Sequence, residues 1–240
     1  MKTKKKPVIY IAGDSTAQSY SESARPQTGW GECLLPFLCE GQGVIEESHR
    51  ENCPFEQEKR YESENLIVDN CAMAGRSSRT FREEGRLSDI EAQIQEGDYL
   101  LIQFGHNDAS ASKPERFVSV ENFAESLIYY VDAARKVNAT PVLISSIALR
   151  PCQENTVGDV GEIARLLPLY AREMEKLAER ENLCYLNLGA KTQEACKAVG
   201  EAVTKLWYKE DNVHLVLEGA QKYAGLLAEL IKSEGRLSNQ

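Results

Sequence analysis

Short apolar runs alternate along the chain with longer segments in which apolar residues recur every three or four positions. Val8–Ala12, Leu66–Ala72, Tyr99–Phe104, Pro141–Ile147 and Leu183–Leu188 are rich in β-branched and apolar residues and predict buried strands. The longer period predicts helices over Val120–Val137, Glu162–Arg180 and Leu217–Lys232. Strands that alternate with helices lie parallel, joined by right-handed crossovers with helices on both faces. The expected fold is therefore α/β: three layers, α/β/α, around a five-stranded parallel sheet. At 240 residues, one core and one domain suffice. The stretch from Gly41 to Asn65 interrupts the rhythm, being polar and glutamate-rich, and predicts a surface insertion. A lid, an oligomer contact or a tolerated excursion all fit its composition.

In a doubly wound sheet the ligand site lies beyond the carboxyl ends of the strands. That rule directs attention to the loops after the first three strands. They read Gly13-Asp14-Ser15-Thr16, then Met73-Ala74-Gly75-Arg76-Ser77-Ser78-Arg79, then Gly105-His106-Asn107-Asp108. Ser15 directly follows a strand, and the next residues predict a helix start whose dipole favours negative charge at the hydroxyl. Asp14 and Ser15 also suit a simple helix cap. Gly75 permits close backbone approach and Asn107 offers a neutral donor, so both suit an oxyanion hole, although a tight turn and a loop brace explain them separately.

A serine hydroxyl needs a base, and the chain has three histidines: His49, His106 and His214. His49 falls in the polar insertion among glutamates and reads as a surface residue. His106 lies inside the predicted site, where bracing the loop is the preferred role. His214 stands three residues after Asp211, a spacing that lets carboxylate and imidazole share one side of a turn, with the second ring nitrogen left for a serine.

Four blocks, Gly13-Asp14-Ser15, Gly75 in Asn70-Cys71-Ala72-Met73-Ala74-Gly75, Gly105-His106-Asn107-Asp108 and Asp211-Asn212-Val213-His214, resemble in order those of the SGNH or GDSL-like hydrolases. Gly13-Asp14-Ser15-Thr16-Ala17, Gly29-Trp30-Gly31-Glu32 and Gly75-Arg76-Ser77-Ser78-Arg79 look most like the rhamnogalacturonan acetylesterases, carbohydrate esterase family 12. The resemblance implies the flavodoxin-like fold of that superfamily. It also implies Ser15 as nucleophile, His214 as base and Asp211 as its partner. The backbone N–H groups of Ser15 and Gly75 would form the oxyanion hole with the Asn107 side chain. The substrate would be an acetylated, pectic oligosaccharide, and no metal or cofactor would be required. Asp14, Arg76, Arg79, His106, Trp207 and Tyr208 are the candidate substrate contacts. Surface salt bridges explain Arg76 and Arg79 equally well, and Trp30 reads as a packing residue. Another acyl ester or thioester, or a non-catalytic carbohydrate-binding role, remains open at this point.

Composition narrows the partners. A net charge of −9 offers no attraction to nucleic acid or to an anionic membrane. The lysines at positions 2, 4, 5 and 6 read as a solvated tail. No apolar run approaches the ~20 residues of a membrane span. The run after the lysines is also too short for a secretion signal. Seven scattered cysteines without a C-x-x-C pair suit a reducing compartment. The expected protein is cytoplasmic, with nothing to indicate an oligomer.

Overall fold

A computed structural model describes residues 5–39, 45–50, 53–152 and 158–235. Lys2 and Lys4 of the basic start, and residues 41–44, 51 and 52 of the polar stretch, lie outside the described residues. Among the described residues the sheet has seven strands: β1 (Val8–Gly13), β2 (Glu46–Ser48), β3 (Lys59–Glu62), β4 (Ile67–Asn70), β5 (Tyr99–Gln103), β6 (Thr140–Ile144) and β7 (Cys184–Leu186). Their order is β2-β3-β4-β1-β5-β6-β7. The five expected strands are present and parallel, β4, β1, β5, β6 and β7.

The count of five is corrected to seven by the polar stretch, which adds two antiparallel strands at the β4 edge. Neither carries an apolar face that composition could reveal. β2 reads Glu-Glu-Ser and is exposed throughout, and β3 reads Lys-Arg-Tyr-Glu with only Tyr61 buried. Backbone pairing to β4 holds β3, and the Arg60 guanidinium forks onto Asp69 at 2.7 and 2.8 Å.

Alternation along β1 divides the core between the two faces. Ile9 and Ile11 pack against Trp30 and against Leu34 and Leu35 of α1 (Leu34–Leu38), with α8 (Leu217–Ser233) supplying Tyr223, Leu227 and Ile231. Val8, Tyr10 and Ala12 face the other way, towards α2 (Ser78–Glu83), α3 (Arg86–Glu91), α4 (Val120–Arg135) and α5 (Gly158–Glu181). α6 (Leu188–Val199) follows β7 directly and buries Leu188 and Cys196 on the α8 side, and the short α7 (Glu201–Thr204) follows it. No helix among the described residues is long and apolar enough to cross a membrane.

Candidate active site

The three loops predicted as the site lie side by side because β4, β1 and β5 are neighbours in the sheet. Backbone and side-chain bonds stitch them together. Met73 N donates to Gly13 O at 3.0 Å, Ala74 N to Gln18 Oε1 at 2.5 Å, and Asn107 Nδ2 to Arg76 O at 2.8 Å.

No helix opens at Ser15, which corrects the expected helix start. Residues 15–17 make a single turn, with Ala17 N and Gln18 N both donating to Asp14 O. The carbonyls that would propagate a helix are taken by a returning segment: Trp30 N donates to Thr16 O at 2.9 Å and Gly31 N to Ala17 O at 3.2 Å. That approach explains Gly29-Trp30-Gly31. A Cβ on Gly29 would lie 2.2 Å from Gln18 O, and one on Gly31 2.4 Å from Ala17 O. Trp30 between them is fully buried in the core, where packing was expected.

Beneath Ser15, the fully buried Asp14 accepts from Thr16 N at 2.9 Å and Thr16 Oγ1 at 2.8 Å. Its other oxygen stands 3.4 Å from His106 Nδ1. Burial alone would raise the Asp14 carboxyl, but His106 and the Thr16 bonds outweigh it and hold it below the ordinary carboxylate range. Asp14 and His106 therefore brace the turn from inside. Asp14 has no exposed surface for the substrate contact considered for it, whereas His106, at 5% exposed, is as accessible as Asn107 at 6%.

His214 arrives from the far end of the chain. The segment before α8 folds back on itself through an antiparallel bridge between Tyr208 and Leu215 and a Lys209 N to His214 O bond of 2.8 Å. Within it, Asp211 Oδ1 accepts from the backbone of Val213 and of His214, each at 2.9 Å. Asp211 Oδ2 meets His214 Nδ1 at 2.8 Å, and His214 Nε2 meets Ser15 Oγ at 3.0 Å. Partial burial would raise the Asp211 carboxyl, yet the imidazole and the two N–H groups prevail and bring it down to about 2. A carboxylate thus faces one ring nitrogen and a hydroxyl the other, an arrangement able to draw the Ser15 proton onto imidazole.

Each of the three loops also carries an N–H group able to meet an oxyanion. Among the described residues, neither Ser15 N–H nor Gly75 N–H donates to a protein acceptor. Gly75 has φ +78°, the left-handed region that a side chain would strain. Asn107 Nδ2 commits one hydrogen to Arg76 O, which leaves its second.

The remaining candidates fare differently. Tyr208 is 4% exposed, with its hydroxyl bonded to Ala148 O and to Tyr223 Oη, each at 2.7 Å, so it is a core residue and not a cleft wall. Trp207 is half-buried and packs edge-on to Tyr223. Arg76 binds Glu84 at 2.9–3.0 Å and Ala74 O at 2.8 Å. Arg79 reaches Glu83 at 3.4 Å and the carbonyls of Pro114, Glu115 and Phe117. His49 is exposed, as expected.

Two supporting arginines carry no signal in the sequence. Arg150 is buried and grips the loop of Asp211 and His214. Its backbone N donates to Asn212 O at 3.0 Å and its Nε to Asn212 Oδ1 at 2.6 Å, with Asn212 held at φ +61°. It also lines a cavity of about 460 Å³ at the ends of β6 and β7, with Ser146, Leu167, Arg172, Tyr185 and Gln193. The second, Arg116, sits against Gly75, with Nη1 3.4 Å from Gly75 O. Among the described residues, Cys53, Glu58 and Asp89 are the one group whose ligand atoms converge as a cation site would require. The Arg50 guanidinium already lies among them, donating to Glu58, Asp89 and Cys53.

A family model described as GDSL-like lipase/acylhydrolase matches residues 9–227. The chain is 32% identical to the rhamnogalacturonan acetylesterase RhgT of Bacillus subtilis, over 96% of this chain and 92% of that one. It is 34% identical to the probable rhamnogalacturonan acetylesterase YesY of the same organism, over 95% and 93%. Among solved structures, the Bacillus subtilis protein YxiM superposes with a TM-score of 0.74 at 23% identity, covering 97% of this chain and 58% of that one. An acetylxylan esterase of Geobacillus stearothermophilus superposes with a TM-score of 0.65 at 18% identity, covering 98% and 96%. At those identities the two solved structures speak to the fold.

Proposed function

Because the chain belongs to the GDSL-like lipase/acylhydrolase family, and so is a carboxylic ester hydrolase, we propose that it removes O-acetyl groups from pectic, rhamnogalacturonan-derived oligosaccharides. The observation that carries this reading is the relay Asp211 Oδ2, His214 Nδ1, His214 Nε2, Ser15 Oγ, at 2.8 and 3.0 Å. The named relatives at 32% and 34% identity support the choice of glycan.

In this mechanism Ser15 Oγ attacks the acetyl carbonyl while His214 Nε2 takes its proton. Asp211 keeps the proton of the other ring nitrogen in place and stabilises the imidazolium. The carbonyl oxygen becomes an oxyanion, held by Ser15 N–H, Gly75 N–H and Asn107 Nδ2. The sugar oxygen then leaves with the proton from His214, and water, activated by the same ring, hydrolyses the acetyl-enzyme to acetate. The protein's own groups supply every proton transfer in this sequence.

Acetate release is to be measured from acetylated rhamnogalacturonan oligosaccharides, acetylated xylan oligosaccharides and an aryl acetate, with wild type and Ser15→Ala. The expected result is fastest release from the pectic substrate, abolished in the variant. Ser15-dependent release from the aryl acetate alone would retain the mechanism and reject the glycan. Activity that survives in Ser15→Ala would reject the mechanism itself.

A further inference from the structure

We propose that Arg116 is the residue that recognises a substrate carboxylate, an inference that rests on the pectic reading above. Three guanidinium groups surround the loop after β4, and two of them already have carboxylate partners. Arg76 is held by Glu84 and Arg79 by Glu83. Arg116 has no carboxylate partner among the described residues. Among the described residues its Nη1 reaches only the neutral carbonyl of Gly75, at the long distance of 3.4 Å, and its buried Nε has no hydrogen-bond partner. A partly buried cation whose donors are unmatched is costly alone and well suited to an incoming anion.

Its placement is fixed from two directions. Arg116 N and Phe117 N both donate to Lys113 O at 3.1 Å, which closes a turn. Arg79 Nη2 then ties that turn down through Pro114 O, Glu115 O and Phe117 O at 3.2, 2.9 and 3.4 Å. Arg79, a candidate substrate contact in the sequence, positions the loop that carries Arg116. Nη1 also lies 3.6 Å from where a Cβ on Gly75 would stand, so the cation adjoins one of the oxyanion donors. An acid sugar carries its carboxylate on the ring that bears the esterified hydroxyl, or on the neighbouring ring. A planar fork at this point can accept it in bidentate fashion while the acetyl group sits over Ser15. With a net charge of −9 the chain exerts no long-range pull on a polyanion, so a local, unpaired cation is where selectivity for acid sugars must reside.

The test is a ratio taken within each variant, so that a general loss of rate cancels. kcat/KM for acetate release is measured on an acetylated rhamnogalacturonan oligosaccharide and on the same oligosaccharide with its uronates converted to neutral methyl esters, using wild type, Arg116→Gln and Arg116→Lys. Wild type is expected to favour the acidic form by about tenfold or more, Arg116→Gln to favour neither, and Arg116→Lys to fall between. A wild-type ratio near one, or a ratio unchanged in Arg116→Gln, overturns the proposal. So does an equal loss on both substrates confined to kcat, which would place Arg116 in support of the oxyanion loop. If no glycan is deacetylated, the pectic reading fails separately. The carboxylate site is then read from inhibition of aryl acetate hydrolysis by unacetylated digalacturonate, expected to be at least about tenfold weaker in Arg116→Gln. Equal inhibition of both proteins overturns it.

Discussion

Ser15 and His214 are 199 positions apart in the chain, yet Oγ of one stands 3.0 Å from Nε2 of the other. The contact depends on two unrelated pieces of backbone meeting at the carboxyl end of β1, the middle strand. Thr28 N donates to Leu215 O at 3.0 Å, and Gln27 pairs with Val216, so the segment that returns past the Ser15 turn also docks the histidine loop. One short stretch, Gln27 to Gly31, thereby sets both members of the pair.

If the relay works as proposed, its members should differ in their cost. Ser15→Ala should lower kcat on an aryl acetate by roughly 10⁴-fold or more and abolish labelling by a fluorophosphonate. Asp211→Asn should cost less, roughly 10²–10³-fold, because the Asp211 side chain is 43% exposed and water can partly replace it. Steady-state kinetics with intact-protein mass measurement checks both. Labelling of Ser15→Ala at the wild-type rate would remove Ser15 from the mechanism.

Arg150 should matter to turnover without touching substrate. Its Nε bond to Asn212 Oδ1, added to a backbone bond that any residue at 150 can make, holds a left-handed residue between Asp211 and His214, and small displacements of a reacting pair are costly. Arg150→Met is expected to lower kcat about 10- to 100-fold, with a smaller change in KM. Asn212→Gly, which tolerates the same backbone but loses the Oδ1 acceptor, should show a milder form of the same defect. A change confined to KM would contradict the positioning role.

Much of this was legible in the sequence, for reasons that differ by element. β1, β4, β5, β6 and β7 are buried on both faces and so read as short apolar runs. β2 and β3 were not readable, since edge pairing with β4 holds them and not an apolar pattern of their own. α6 was hidden because Leu188, assigned to the last strand, is its first residue. At the site, Asp211 and His214 are close in sequence and form a local turn, so their partnership could be anticipated. Position along the chain cannot show depth, and so it suggests substrate contacts for Asp14, which has no exposed surface, and for Tyr208, whose hydroxyl is tied into the core. Arg116 and Arg150 lie in irregular segments, and only the folded chain brings them to Gly75 and Asn212.

Tyr208→Phe tests the correction to that residue. The substitution keeps the ring but removes a hydroxyl that bonds Ala148 O and Tyr223 Oη. Stability should fall by about 1–2 kcal/mol, as for a buried hydrogen bond removed with an acceptor left unmatched. KM for any acetylated sugar should be unchanged, because the hydroxyl is engaged within the core. Chemical denaturation and initial-rate kinetics on the same preparation suffice, and a raised KM at unchanged stability would return Tyr208 to the cleft.

Asp108 should give the protein a pH dependence of stability that a single substitution removes. Its carboxyl is fully buried; burial pushes it up to about 7, against the bonds from Ser78 N at 3.0 Å and Ser78 Oγ at 2.5 Å, and Oδ2 has no partner. In the unfolded chain the same group titrates near the ordinary value of 3.8. Between those values the folded state holds a proton that the unfolded state has released, so stability falls as pH rises from about 4 to about 7 and is flat beyond. Asp108→Asn retains an oxygen for both Ser78 donors and cannot ionise. Its own cost, an unmatched amide in place of Oδ2, does not vary with pH. Between pH 5 and pH 8 the wild type should therefore lose roughly 1–3 kcal/mol more than the variant. Other titrating groups are common to the two proteins and cancel in the difference. Denaturant unfolding of both at four pH values makes the comparison, and parallel curves would show that Asp108 is already ionised in the folded protein at pH 5.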